Sequence, residues 1–265
     1  MTYALPLAIS AASVGPAEVR AMGDVDVMAT NTGAVISMIE ASLATRSHLK
    51  IAFVNAHCFN VAAESSDYRD SLGAFLVLPD GIGMDIASRA LFGEAFPENL
   101  NGTDLTPAIL ERIGRPLRVA LVGGEPGVVE TAARHLAERY PRHAFLPVSH
   151  GYFGEGSPTM EVLARLRSAC PDLVLVGLSV PRQELFIARH MSGQEGTVVM
   201  AIGAFLDFAA GKVPRAPAAV RLWRLEWAFR LAIEPRRLWR RYVVGNPAFL
   251  LRVALLRFGR ARAMR

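Results

Sequence analysis

Only two cysteines occur in the 265 residues, Cys58 and Cys170, and they lie far apart with no CxxC pair. That scarcity excludes a disulfide scaffold and a four-ligand zinc site, and it fits a reducing compartment. No window of about 18 uncharged apolar residues is present, which excludes a membrane-spanning helix. The opening stretch at 1–15, MTYALPLAISAASVG, is apolar but lacks the basic n-region of a secretory signal, and is not read as one. Charged residues are sparse, 20% against 52% hydrophobic, so the chain is not disordered and can bury a sizeable core. The length suits one large α/β domain, or one domain with an appendage. Mean hydropathy is nevertheless positive, which is high for a freely soluble enzyme.

Acidic residues are scarce in one region only. From Lys212 to the end there are fourteen basic residues, Lys212 and thirteen Arg, against Glu226 and Glu234, a net charge of +12. The first 211 residues therefore carry −7 of the total +5. An acidic body with a strongly basic tail points to an anionic partner surface, phospholipid or nucleic acid.

Five short aliphatic runs read as buried parallel strands: 49–55, 74–79, 117–123, 172–180 and 197–205. Helical patterns alternate with them at 59–71, 83–92, 103–113, 127–140, 159–169 and 183–191. This alternation predicts an α/β fold, a Rossmann-like parallel sheet flanked by helices. The segment before residue 45 reads as a strand and helix at the sheet edge. No internal repeat or low-complexity linker is present. Such sheets bind ligands at the carboxyl ends of their strands, so chemistry is sought there.

The second strand runs into Asp80-Gly81-Ile82-Gly83. A carboxylate at a strand end, with glycines behind it, leaves room for a ligand to approach the backbone. Asp80 there suits a general base, a ribose ligand or a metal ligand, with a helix N-cap as the plain alternative. Gly123-Gly124-Glu125-Pro126-Gly127 joins a strand to a helix; it is neither GxGxxG nor Walker A. Its glycines would turn backbone N–H groups toward a phosphate, or form an ordinary βα turn. Arg182 and Gln183 open a helix where they can reach phosphate or sugar hydroxyls, while Glu184 complements the helix dipole. Asp207 follows the fifth strand, a place that suits a ribose diol. Tyr152, in His150-Gly151-Tyr152-Phe153, offers a ring to stack on a base, or simply to pack.

The tail after Val213 interleaves Trp223, Trp227 and Trp239 with Arg221, Arg224, Arg230, Arg236, Arg237, Arg240 and Arg241. Three amphipathic helices are predicted at 216–233, 235–244 and 247–262. Pro235 opens the second, Gly245 ends it, and Asn246-Pro247 caps the third. Basic faces opposite Trp and Leu describe helices lying in a bilayer interface. A division follows into a Rossmann-like catalytic domain, 1–212, and a basic helical membrane-docking appendage, 213–265.

These motifs, in this order, resemble the WecG/TagA/CpsF family of glycosyltransferases (glycosyltransferase family 26). The resemblance covers roughly residues 45–250. It is carried by Asn55-Ala56-His57, Asp80-Gly81-Ile82-Gly83, Asn101-Gly102-Thr103-Asp104-Leu105, Gly123 to Gly127 and His150 to Phe153. It continues through Pro181-Arg182-Gln183-Glu184, Phe205 to Gly211, Arg215-Ala216-Pro217, Glu226-Trp227 and the Arg230 to Arg241 block. Each motif alone is weak; the ordered set is specific. The resemblance implies an inverting, metal-independent transferase using a UDP-sugar and a polyprenyl-diphosphate-linked acceptor in bacterial surface-polysaccharide synthesis. By the same resemblance Asp80 is the base and Gln183 lines its pocket. With the residues singled out above, substrate binding falls to Asn55, Asn99, Asn101, Asp104, Gly123, Gly124, Gly127, Tyr152, Arg182, Asp207 and Arg215. Arg230, Arg237, Arg240 and Arg241 are assigned to the membrane or the acceptor diphosphate. Two positions depart from the N-acetylmannosamine-type pattern: Phe53 where Thr is usual, and Asn99 where Arg is usual. They tilt the reading toward an exopolysaccharide hexosyltransferase, with glucose as a candidate donor sugar.

The expected reaction is a single displacement, with Asp80 taking the acceptor proton and backbone N–H groups and arginines holding the leaving diphosphate. No metal and no cofactor is expected. The expected partners are a UDP-sugar, a lipid-linked acceptor and an anionic membrane surface, without nucleic acid; a homo-oligomer stays open. The expected location is peripheral, on the inner face of the cytoplasmic membrane. Two rivals stand beside this reading: a nucleotide-binding oxidoreductase, which would need a GxGxxG turn, and a nucleic-acid-binding protein using the basic tail.

Overall fold

The computed structural model describes residues 18–217, 219, 220, 223 and 225–263. The apolar opening stretch and Arg221 and Arg224 of the tail lie outside these residues. Alternating residues on both sides of Gly23-Asp24 form a hairpin, β1 (Glu18–Met22) with β2 (Val25–Ala29) antiparallel, Gly23 supplying φ of 64°. The hairpin is a two-stranded sheet of its own; β2 packs against the edge of the main sheet, and α1 (Thr32–Thr45) follows it.

The main sheet contains β3 (Leu49–Val54), β4 (Leu76–Pro79), β5 (Arg118–Gly123), β6 (Ala144–Ser149), β7 (Leu173–Gly177) and β8 (Val198–Ala201). Its order is β4-β3-β8-β7-β5-β6, with every pair parallel. Five strands stand where the apolar runs predict them. The sixth, β6, is half-buried at the sheet edge and contains Pro147, so it carries no continuous apolar run. β7 and β8 stop earlier than their apolar runs because the strand ends converge on glycine. A Cβ on Gly177 would lie 2.7 Å from the Gly203 carbonyl oxygen, and one on Gly123 only 2.3 Å from that of Gly177.

Residues alternate between two cores, one on each face. Ala52 and Val54 of β3 face α2 (Ala56–Glu64), α3 (Ser66–Leu72), α4 (Ile82–Phe92), α7 (Ser157–Ala169) and α8 (Arg182–His190). Ile51 and Phe53 face α1, α5 (Gly102–Arg112), α6 (Val128–Arg139) and the short α9 (Phe205–Ala209). The helix expected at 59–71 is two helices, because Ser65 turns out of helical geometry and its Oγ caps α3 at the Tyr68 N–H.

The tail differs from three separate helices. Residues Glu226–Ile233 form α10 and Pro235–Trp239 form α11; a π-helical turn at Arg240–Val244 then runs straight into α12 (Gly245–Ala263). Gly245 has φ of −69° and continues the helix instead of ending it. Pro247 therefore lies inside a continuous helix, three residues past the π-helical turn, and has no N–H to give to the preceding turn. α12 packs on α2 and α4. Phe249 is 1% exposed and meets Phe59 edge-on at 5.3 Å, and Val253 is buried beside it. No helix among the described residues is long and apolar enough to cross a membrane.

Candidate active site

Parallel register aligns Val54 with Pro79 and Gly123 with Gly177, so the loops after these strands open along one edge. Asp80 follows β4 there. Its neighbour Asn55 follows β3 and caps α2, its Oδ1 accepting from His57 N–H at 3.1 Å and Cys58 N–H at 3.2 Å. With Oδ1 so engaged, Nδ2 can only point away, and it donates to Asp80 Oδ2 at 2.9 Å. One amide thus fixes both a helix and the carboxylate. Burial raises the Asp80 pKa above the ordinary carboxylate value; the Asn55 hydrogen bond, Arg241 and Arg230 oppose that rise, and Asp104 adds to it. A half-buried carboxylate with a raised pKa and one fixed oxygen is suited to proton abstraction.

The glycines behind Asp80 divide their work. Gly81 has φ of 85° and open space at its Cβ position, and its N–H donates to Asn99 Oδ1 at 2.5 Å. Gly83 serves packing: a Cβ there would stand 3.3 Å from Ala56 and 3.5 Å from Phe249. Phe53 lies beneath, with a Cβ on Gly102 only 3.1 Å from its ring. The N-terminus of α5 completes the floor. Asn101 caps it at Asp104 N–H and donates to Asp104 Oδ2 at 2.8 Å, and Arg215 pairs with the other Asp104 oxygen.

The tail covers this group. Glu226, in the first turn of α10, interacts with Arg215, Arg230, Asp104 and Asp80, and burial raises its pKa. Arg230 lies over the Phe208 ring at 5.6 Å and Arg241 over Tyr242 at 5.4 Å, while Tyr242 meets Trp227 at 5.7 Å. The Trp227–Tyr242 contact joins α10 to the π turn and so fixes both arginines. Arg215, Arg230 and Arg241 each keep a buried Nε without a hydrogen-bond partner. Such a donor costs about 1–3 kcal/mol when left unmade, and an anionic ligand would satisfy it. Burial, with Arg241 second, holds the His57 pKa down to about 4, so this imidazole is neutral at pH 7.

A second group lies at the ends of β5, β6 and β8. Glu125 pairs with Lys212 at 2.7 Å, and Tyr152 and Asp207 sense the same lysine. Burial raises the Asp207 pKa, with Lys212, Arg237 and Arg230 opposing. Arg230 acts on both Asp80 and Asp207 and so couples the two groups electrostatically. Asp207 sits on α9 and not at a strand end, since the fifth apolar run has already turned into helix.

Several predicted residues hold the site from behind. Arg182 donates to the Gly151 carbonyl at 2.6 Å and to that of Phe153, bracing the loop that carries Tyr152. Gln183 is 3% exposed; its Nε2 bonds Glu184 at 2.8 Å and its Oε1 accepts from Gly203 N–H at 3.2 Å. Gly123 and Gly124 serve close backbone packing, the Gly124 N–H donating to Gly177, whereas Gly127 has φ of 89° and open space at the start of α6. Arg240 stacks on exposed Trp239. Among the described residues, no three His, Cys, Asp or Glu side chains are grouped to hold a metal ion. Sequence reasoning passed over Glu226 as a site residue, although it is one of only two acids in the basic tail.

Comparison with known proteins agrees with this arrangement. The model of the glycosyl transferase WecG/TagA/CpsF family matches residues 20–263. The chain is 30% identical over 210 residues to an N-acetylglucosaminyldiphosphoundecaprenol N-acetyl-beta-D-mannosaminyltransferase of Staphylococcus aureus, covering 78% of this chain and 80% of that protein. Identity is also 30% over 191 residues to the protein of the same name from Bacillus spizizenii, covering 72% and 71%. The match decides between the transferase and oxidoreductase readings. With Asp80, its amide partner and the arginines assembled at the strand ends, the chain belongs to the WecG/TagA/CpsF family of glycosyltransferases.

Proposed function

We propose that the chain moves a hexose or N-acetylhexosamine from a UDP-sugar to a polyprenyl-diphosphate-linked saccharide, with inversion, at the inner face of the cytoplasmic membrane. The observation that carries this reading is Asp80: half-buried, raised in pKa, held by Asn55, and acted on by arginines with unsatisfied donors. Asp80 takes the proton of the acceptor hydroxyl while that oxygen bonds to the sugar C1. The bond from C1 to the UDP oxygen breaks in the same step, and UDP leaves carrying the negative charge. Arg215 supplies the counter-charge to it, and Arg230 and Arg241 hold the acceptor diphosphate, so a divalent metal is not needed. Asp207 and Tyr152 hold the nucleoside, while Asn101 and Asp104 line the sugar side. Relatives named as N-acetylmannosaminyltransferases support the class of donor and acceptor. The departures at Phe53 and Asn99 from the N-acetylmannosamine-type pattern leave the donor as a hexose or N-acetylhexosamine.

Membrane association is the second half of the proposal. Trp223 (73% exposed), Leu251 (63%) and Phe258 (69%) stand out of the tail among its arginines, as an interfacial helix surface requires. The test is a panel of UDP-sugars offered with a polyprenyl-diphosphate-linked sugar, with and without EDTA, and product mass as the readout. One sugar added per acceptor, unaffected by EDTA, is expected; no product from any UDP-sugar would defeat the reading.

A further inference from the structure

α4 and α12 leave an apolar groove of about 450 Å³ between them, lined by Ile86, Ala90, Leu250, Val253, Ala254 and Phe258. Its volume lies within the usual range of small-molecule clefts, about 300–1,000 Å³. α4 begins two residues after Asp80, and Ile82, Ile86 and Ala90 lie one turn apart along it. α12 starts beside the same end. Gly83 in the first turn of α4 meets Phe249 in the first turns of α12, and the π turn carrying Arg241 immediately precedes α12. Leu250, Ala254 and Phe258 form one stripe of α12 next to its buried stripe, Phe249 and Val253. The groove therefore leads away from the end that carries Asp80, where Arg230 and Arg241 act on the carboxylate, and Arg257 stands on its wall.

We infer that this groove holds the first isoprene units of the lipid-linked acceptor, directing its diphosphate to Arg230 and Arg241 and its sugar hydroxyl to Asp80. The inference rests on the acceptor being polyprenyl-linked, as proposed above. Charge and apolarity argue for this occupant together: an anionic head suits the buried, unpartnered arginine donors near Asp80, and an apolar chain suits the mostly apolar groove that starts from the same end of α4 and α12. Ile86, Leu250 and Phe258, which line the groove, are between 41% and 69% exposed. Apolar side chains left open around a cleft mark a binding surface. A phospholipid acyl chain could fill the channel but would not bring a sugar hydroxyl to Asp80.

Filling the groove without removing apolar surface separates this role from plain membrane attachment. Ala254→Trp and Ala90→Trp should raise KM for a long-chain prenyl-diphosphate acceptor about tenfold, the factor carried by roughly two buried methylene-sized groups. KM for the same headgroup on a short alkyl chain, UDP binding and vesicle co-sedimentation should stay unchanged. Equal losses on long and short acceptors, or loss of vesicle binding in step with activity, would overturn the inference. So would a dimer that the substitutions abolish, since the groove would then be an interface between copies. Photolabelling with a benzophenone-bearing prenyl diphosphate requires no turnover and keeps the two readings apart. Label on peptides containing Ile86 or Ala254 supports the groove even if no donor sugar transfers. Active transfer with label elsewhere removes the groove and leaves the proposed function standing.

Discussion

Replacing Asp80 by Asn tests the reaction and the folded state with one nearly isosteric change. The substituted amide oxygen can still accept from Asn55 Nδ2, which donates to Asp80 Oδ2 at 2.9 Å, so α2 stays capped and the loop stays in place. What is lost is the proton acceptor. Removal of a general base costs about 10²–10⁴-fold in rate, or about 2.7–5.4 kcal/mol in the barrier at 1.36 kcal/mol per tenfold. Stability should move the other way. Burial raises the Asp80 pKa, so the folded chain holds this proton more tightly than the unfolded chain. Its contribution to stability is fully present below the unfolded carboxylate pKa and is lost as pH rises through the raised folded value. At pH 7 the variant escapes that loss; its Tm should rise there and change little at acid pH. The assays are initial rates with the preferred UDP-sugar, UDP calorimetry, and melting at pH 4 and pH 7. More than half of wild-type turnover, or a parallel fall in Tm and UDP affinity, would refute the argument.

Asp207→Ala should weaken UDP binding in calorimetry more than it lowers kcat, because Asp207 stands with Tyr152 and Lys212 on the nucleoside side; unchanged affinity would reduce it to a structural role. Glu184 is fully buried, and burial raises its pKa to about 7. Stability from its protonated form is complete below the unfolded pKa and lost as pH rises through about 7, so Glu184→Gln should raise Tm at pH 8 and not at pH 4; equal shifts at both would remove the cause. Phe249→Ala should destabilise the chain by about 3–5 kcal/mol in denaturant unfolding, as expected for a buried ring packed on Phe59 and Gly83. A loss below 1 kcal/mol would mean that α12 is not part of the core.

The α/β class, five of the six main strands, and the placement of Asp80 at a strand end were legible in the sequence. Each rests on a local signal: an aliphatic run, a turn glycine, an acid next to it. The strand and helix expected before residue 45 are β2 and α1, whereas β1, its hairpin partner, lies in no apolar run. β6 gave none, since an edge strand with one half-solvated face needs no apolar run. Composition also marked the basic tail as functional, because thirteen arginines in 54 residues have no place in an ordinary core.

Tertiary structure alone decided what the motif residues do. Arg182 and Gln183 stand where ligand contacts are expected, yet their donors are engaged by neighbouring backbone and Glu184. Gly83 and Gly123 look like room for a ligand and are room for a helix and a strand end. Asn55 orients Asp80 only because the strand order sets β3 beside β4, and Glu226, Arg230 and Arg241 reach Asp80 from 146 or more positions away. Sequence spacing fixes the local conformation of each segment. Contacts between segments depend on how their buried faces pack against a shared sheet, and no period or motif within one segment carries that information.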